Sequence, residues 1–350
     1  MQLLVTGGAG YLGSVLIPKL LVRGHRVRVL DAGFFGVGHL RGMQPAVELI
    51  REDIRRILQD AEFAAKLLDG CEAVIHLAAI SNDPSAELNP ALTEEVNFQA
   101  TVRLAEEAKK RRVRFLFSSS CSLYGAAKEM TDEEGTLAPL TTYAVSKANA
   151  EKALAGLEDA SWKPVVLRNG TLFGYSPRMR FDLVVNIFSL YSTLYDEIKL
   201  FGEGQQWRPF LHVGDCARAF LHFLEKPDCR HRCYNIAHEN LRVTDLAALF
   251  KRMNPRLKTV QVQGTDDDRR DYRVSTRRMQ EEGFQARTGV EAGAQEMCEA
   301  IASGLISDPE SIYYRNAKWL KELTQIGLKT PKDVVNLMEI LEQIHRGPKA

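Results

Sequence analysis

The chain has 350 residues, room for one large domain or two closely apposed ones. With 45% hydrophobic and 26% charged residues, it has the composition of a soluble protein with a sizeable core. Its 46 basic and 45 acidic residues leave a net charge of +1, so neither nucleic acid nor an anionic membrane is expected as a partner.

Met1-Gln2-Leu3-Leu4-Val5-Thr6 runs directly into a glycine-rich turn with no basic stretch before it, so no signal peptide is expected. No run approaches the roughly 18 apolar residues that cross a bilayer. Short β-branched runs at Leu3–Val5, Val27–Leu30, Val47–Ile50, Ala73–Leu77, Arg114–Ser118 and Pro164–Arg168 predict strands. Between them, amphipathic spacing predicts helices at Ser14–Arg23 (with Pro18 inside it), Phe63–Asp69, Ala91–Arg111 and Tyr143–Leu157. This alternation predicts an α/β fold: a doubly wound parallel sheet with helices on both faces.

After about residue 175 the pattern loosens. Helices are predicted at Arg180–Tyr195, Asp215–Leu224 and Thr244–Met253, and strands at Lys199–Phe201, Arg208–His212, Cys233–Ala237 and Thr259–Gln263. The expected organisation is a dinucleotide-binding domain over residues 1–174 and a smaller α/β substrate-binding region over 175–304, interleaved with the first. A helical tail over 305–350 completes the chain, with no chemistry assigned to it. The six cysteines, Cys71, Cys121, Cys216, Cys229, Cys233 and Cys298, predict free thiols and a cytoplasmic location. Cys229-Arg-His-Arg-Cys233 has no second ligand pair at zinc-like spacing, so a loop entering a strand is expected and no metal.

Gly8-x-Gly10-x-x-Gly13 follows the first strand and opens the first helix, the context in which glycines admit a pyrophosphate to backbone N–H groups and a helix N-terminus. Asp31 closes the second strand, 18 residues after Gly13, where a carboxylate accepts from a ribose diol and repels a 2′-phosphate. NAD is therefore expected over NADP, with Arg28 on the same strand as the one contrary signal. Asp53-Ile54 follows the third strand and is assigned to adenine, although Asp53 also suits a helix cap. Small residues in Val74-Ile-His-Leu-Ala-Ala79 let the backbone pass close to the dinucleotide, and His76 reads as a core histidine.

Phe117-Ser-Ser-Ser-Cys-Ser-Leu-Tyr-Gly125 leaves a strand as a cluster of hydroxyls, and 18 residues later Tyr143-Ala-Val-Ser-Lys147 opens a helix. The i, i+4 spacing points Tyr143 and Lys147 the same way. A free phenol titrates near ~10; lowering that to about 7 takes roughly 4 kcal/mol, a task for the ammonium and an oxidised nicotinamide together. The phenolate then takes a proton from a sugar hydroxyl as hydride leaves.

Over roughly residues 1–300 these motifs resemble the extended short-chain dehydrogenase/reductase family, the Rossmann-type group that includes nucleotide-sugar epimerases and dehydratases. The resemblance implies Tyr143 as base, Lys147 on the nicotinamide ribose and Ser120 sharing the substrate hydroxyl. It implies NAD contacts from Gly7, Gly10, Tyr11, Leu12, Gly13, Asp31, Asp53, Ile54, Leu77, Ala78, Ala79, Asn97, Ser118, Asn169 and Gly170. In the family's 4,6-dehydratases an Asp-Glu pair follows the active-site hydroxyl; here Cys121 and Ser122 stand there, which disfavours dehydration while leaving both beside the substrate.

For a nucleoside-diphosphate sugar, the resemblance implies Asn186, Arg208 and Arg270 on the diphosphate, with Arg178 and Arg180 as further candidates. Thr171 stands where UDP-galactose 4-epimerase carries a substrate-binding asparagine. The Ser176–Asn186 and Asp268–Ser275 runs resemble a branch that includes GDP-heptose 4-dehydrogenases. The expectation is an epimerase working through a 4-keto sugar. A 4-dehydrogenase or 4-ketoreductase is the rival, and a non-catalytic dinucleotide-binding regulator the remote one. The resemblance also implies a homodimer through Ala91–Arg111 and Tyr143–Leu157.

Overall fold

The protein is described by a computed structural model covering residues 1–262 and 268–325, with residues 333, 336 and 337. In chain order its strands are β1 (Gln2–Thr6), β2 (Arg26–Asp31), β3 (Val47–Arg51), β4 (Ala73–His76), β5 (Arg114–Ser120), β6 (Ala126–Thr131) and β7 (Val165–Asn169). They continue as β8 (Thr171–Phe173), β9 (Glu197–Phe201), β10 (Trp207–His212), β11 (Cys233–Ile236), β12 (Glu239–Arg242), β13 (Lys258–Val262) and β14 (Asp271–Val274).

The main sheet has seven strands in the order β11-β7-β5-β4-β1-β2-β3, every pairing parallel. Because successive strand residues face opposite ways, Leu3, Val5, Val27 and Val29 enter one core and Leu4, Leu30, Val74 and Phe115 the other. The first core is closed by helix α1 (Gly13–Val22) and the Val213–Glu225 helix; the second is closed by the Ala100–Lys110 and Thr142–Leu157 helices. Strand order reverses between β1 and β4, so the loops leaving their C-terminal ends diverge and open a crevice there.

The second half adds a three-stranded sheet, β12-β10-β8, and two parallel pairs, β13-β9 and β14-β6. β11 lies within residues 175–304, yet it forms the edge of the main sheet beside β7. β14 returns to β6 and brings Asp268–Val274 beside the exit of β5.

The predicted helix over Arg180–Tyr195 starts only at Val184, with Leu183 extended at φ −104° and ψ 134°. Arg180 grips Asp182 with two donors at 2.9 Å, and an i, i+2 pair does not face inward on one helix surface. β6, β8 and β12 carry no alternating apolar signal, and β14 alternates over only four residues, which hid them. Gln263, the last residue of the predicted Thr259–Gln263 strand, lies outside the described residues. Of the tail, a 3-10 turn (Ile312–Tyr314) and a helix (Asn316–Gln325) are described. Cys229 is buried in the first core and Cys233 opens β11.

Candidate active site

One cleft runs along the crevice, from Asp31 and Phe35 past the glycine turn to Tyr143 and Arg270. Its floor depends on two backbone approaches. Gly7 has φ +69°, and a Cβ there would lie 2.7 Å from the Ala78 nitrogen. A Cβ at Gly13 would lie 2.4 Å from the Gly8 carbonyl oxygen, whereas at Gly10 nothing but the Gly7 oxygen comes within 4 Å. The turn is thus packed from below and open above, toward the N-terminus of α1.

Asp31 accepts from the backbone nitrogens of Ala9 at 2.9 Å and Gly33 at 2.8 Å, which fixes its carboxylate at the cleft wall. Burial raises its pKa, and those two N–H donors oppose the rise. Arg28 does not contest this position: it reaches Glu48 at 2.8 Å and the Leu67 carbonyl at 2.9 Å. Asp53 and Ile54 line the cleft, but Asp53 is held by Arg55 at 2.6 Å and also accepts from the Arg55 backbone nitrogen. A glycine cradle at a helix N-terminus, with a carboxylate across from it, fits a dinucleotide with a free 2′-hydroxyl.

Leu77, Ala78, Ala79, Ser118, Asn169, Gly170 and Thr171 continue the wall, as do Tyr11 and Leu12. Asn97 lies beneath it, in a π-helical turn (Glu95–Gln99). It accepts from the Ile80 nitrogen at 2.8 Å and donates to Ser146 at 3.1 Å, tying the exit of β4 to the Tyr143 helix. His76 is locked in the core between the Thr6 hydroxyl at 2.6 Å and the Thr101 hydroxyl at 2.7 Å.

Tyr143 stands in the first turn of the Thr142–Leu157 helix and shares the cleft wall with Ser120 at the end of β5. Lys147, 2% exposed, donates to the Ser118 carbonyl at 2.9 Å and lies 4.7 Å from the Phe117 ring centre. Burial, followed by the charge of Asp83, pushes the Tyr143 phenol up to about 12. Burial also brings the Lys147 amine down to about 7, opposed by Glu151 one turn along. The charges of Arg180 and Arg270 oppose the rise of the phenol without cancelling it.

The remaining candidates separate by geometry. Ser122 lines the cleft and bonds Ser120 at 2.9 Å, whereas Cys121 is fully buried with its thiol toward the Arg168 carbonyl at 3.1 Å, away from the substrate position. β5 ends at Ser120, and the 3-10 turn that follows it (Cys121–Tyr124) carries Cys121 to the core side and Ser122 to the cleft. Arg178, Arg180 and Arg270 line the cleft. Arg208 and Asn186 do not. Arg208 holds Asp268 at 2.6 Å and the Trp207 carbonyl at 2.8 Å. Asn186 is buried on the Gly174 nitrogen at 3.0 Å, the Tyr11 hydroxyl at 3.1 Å and the Arg180 carbonyl at 2.9 Å.

Two polar lining residues that the sequence reading did not single out bear on the site, Asp83 and Asn316. Asp83 accepts from Thr141 and from Arg270, close enough to Tyr143 to act on its charge; Asn82-Asp83-Pro84 reads locally as a helix start and nothing more. Asn316, in the tail, carries no local signal at all.

Residues 3–237 match the model of the NAD-dependent epimerase/dehydratase family. An uncharacterised UDP-glucose epimerase of Bacillus subtilis (strain 168) is 29% identical over 74% of this chain and 84% of its own length. A UDP-glucose 4-epimerase of Thermotoga maritima, solved with UDP-glucose, is 27% identical with a TM-score of 0.77; all of it is covered by 87% of this chain, so part of this chain has no counterpart there. MoeE5, solved with UDP-glucuronic acid and NAD, is 26% identical with a TM-score of 0.74, again over 87% of this chain and 100% of that one. With the nucleotide cradle, the Ser120–Tyr143–Lys147 group and this match over more than half its length, the chain belongs to the NAD-dependent epimerase/dehydratase family of enzymes and uses NAD.

Proposed function

We propose that the protein is a UDP-sugar epimerase working at C4 through a 4-keto intermediate. The observation that carries the reading is that Ser120, Tyr143 and buried Lys147 share one stretch of the cleft wall, where the dinucleotide groove meets the arginine-lined end. NAD, when bound, supplies the acceptor and then the donor of the C4 hydride. Tyr143 takes the C4 hydroxyl proton and returns it after the sugar has turned over. Ser120 holds that oxygen, and Lys147 holds charge beneath the phenolate.

Cys121 and Ser122 offer no carboxyl pair for water elimination, which favours epimerisation over dehydration. The names of the relatives support uridine as the nucleotide. Arg270 at the cleft's far end is the donor we assign to the diphosphate. The same reading takes the protein to be cytoplasmic, in keeping with free cysteines at all six positions. It also takes it to be a homodimer through the Thr142–Leu157 helix, where Val145 is exposed, and its neighbour.

The test incubates purified protein with UDP-glucose, UDP-galactose, UDP-N-acetylglucosamine and UDP-glucuronate, reading NADH absorbance and sugar configuration by NMR. A C4 epimer without net NADH, abolished by Tyr143→Phe while NAD still binds, is expected. Stoichiometric NADH with a keto sugar would replace the epimerase by a 4-dehydrogenase. Turnover surviving Tyr143→Phe would refute the assigned base.

A further inference from the structure

The tail closes the end of the cleft that holds Asp31. Trp319 donates to the Phe34 carbonyl at 2.7 Å, Tyr313 donates to the Phe35 carbonyl, and the Phe181 nitrogen donates to the Tyr314 carbonyl at 2.8 Å. This seats Asn316, 3% exposed, inside the cleft, where it bonds Ser81 at 3.3 Å and accepts from Arg178 at 2.6 Å.

Arg178 is itself 2% exposed and lies 3.8 Å from the Phe35 ring centre. Its loop is fastened to the glycine turn, with Ser176 donating to the Tyr11 carbonyl at 2.8 Å. One nitrogen donates to Met179, one to Asn316, and Nε is buried with no hydrogen-bond partner. Among the described residues, no carboxylate comes within ion-pair reach of Arg178: Asp182 and Asp31 act on it from farther off, and Arg180 beside it carries the same charge. A buried guanidinium in that position is costly unless an anion completes it.

We propose that Arg178 and Asn316 form a second cofactor-binding element, a clasp on the dinucleotide diphosphate that the C-terminal segment holds shut, so that NAD leaves only when that segment lifts. Arg178 thereby moves from the sugar nucleotide to the cofactor. The segment makes the dinucleotide a resident group, not a reagent exchanged at each turnover.

The test is NADH release from the full-length protein, followed by stopped-flow fluorescence without any sugar nucleotide, so its result is independent of which sugar the enzyme takes. Arg178→Ala and Trp319→Ala are each expected to speed release ten-fold or more, with Arg178→Lys between them and wild type. Thermal unfolding of each ligand-free variant reports whether it folds. If Arg178→Ala does not fold, Trp319→Ala, which alters no group in the cleft, still decides. Release at the wild-type rate from both alanine variants would overturn the proposal. So would a raised KM for the sugar nucleotide with unchanged NADH release in Arg178→Ala. Tighter binding of NADPH than of NADH would move the arginine to a 2′-phosphate and overturn the diphosphate assignment.

Discussion

Glu151 sits one turn after Lys147 and is the counter-charge of the buried network behind the catalytic group. Arg168 gives it hydrogen bonds at 2.6, 3.1 and 3.1 Å, and Ser119 donates to it as well; the two ionic side chains are only 7% and 9% exposed. The Arg168 Nη1 donors reach the Tyr124 hydroxyl at 2.8 Å and the Glu133 carbonyl at 3.2 Å, so each of the three guanidinium nitrogens makes a hydrogen bond. Glu151→Gln keeps the volume but removes the charge and turns two donors toward a group that has only donors. Breaking one side of a buried pair costs about 3–5 kcal/mol, which in a chain of this size lowers the melting temperature by on the order of 10 °C.

The same substitution reaches the chemistry. The Glu151 charge raises the Lys147 pKa, so its loss lowers that pKa further from about 7. Lys147 acts as an ammonium, and the alkaline limb of kcat that reports its deprotonation moves to lower pH in the variant. Thermal unfolding and a pH profile at saturating sugar nucleotide read both effects. The double variant Glu151→Leu/Arg168→Met should recover most of the stability, because an apolar pair of similar volume replaces a buried ion pair at little cost. A melting point and an alkaline limb both equal to wild type in Glu151→Gln would refute the reasoning. A double variant as unstable as the single would assign the loss to packing.

Four other outcomes are expected. Gly13→Ala forces a Cβ against Gly8 backbone and should lose folded protein and NAD binding together. Gly10→Ala meets only the Gly7 oxygen at 3.1 Å, so it should keep its melting point and lose NADH affinity, read by fluorescence titration. Asp83→Asn removes a charge that raises the Tyr143 pKa, so the acid limb of kcat should move to lower pH, with KM for the sugar nucleotide lowered because the diphosphate has one carboxylate fewer to displace from Arg270. Burial holds His76 down at about 3, against 6.5 when unfolded; the neutral ring's contribution is complete above pH 6.5 and disappears as pH falls toward 3. His76→Gln should flatten that acid loss of stability, which is on the order of 4 kcal/mol, in denaturation curves measured from pH 7 to 4.

The parts of the site that were legible in the sequence are those set by local spacing. Gly10 and Gly13 belong to one turn, Tyr143 and Lys147 to one helix face, and Ser120 to the strand end beside them. Asp31 followed from the length of one β-α-β unit. The arginines could not be sorted this way, because their side chains are aimed by distant partners. Arg208 is drawn to Asp268, 60 residues on, and Arg180 is held by Asp182, which Asn82 also grips from 100 residues away. Cys121 could not be placed by strand spacing either, because it opens a 3-10 turn just past β5 and that turn sets where its thiol goes.

The two ends of the cleft are built with different energetics, and the difference bears on which partner leaves. At the sugar end Arg270 is a quarter exposed and shared between Asp83 and Asp268, so an incoming diphosphate exchanges one set of anionic partners for another in partial contact with water. Such an exchange costs little in either direction. At the adenosine end Arg178 is buried, and its shortest bond runs to Asn316, 138 residues away in the tail, so release there requires parting a packed segment as well as a charged contact. A site that exchanges sugar nucleotide readily while keeping its dinucleotide is what a reaction with no net oxidation needs, since the hydride removed in the first half must still be present for the second. A 4-dehydrogenase would require the opposite arrangement. The clasp and the epimerase reading therefore stand on separate observations and point the same way, and slow NADH release from a protein that accumulated a keto sugar would set them against each other.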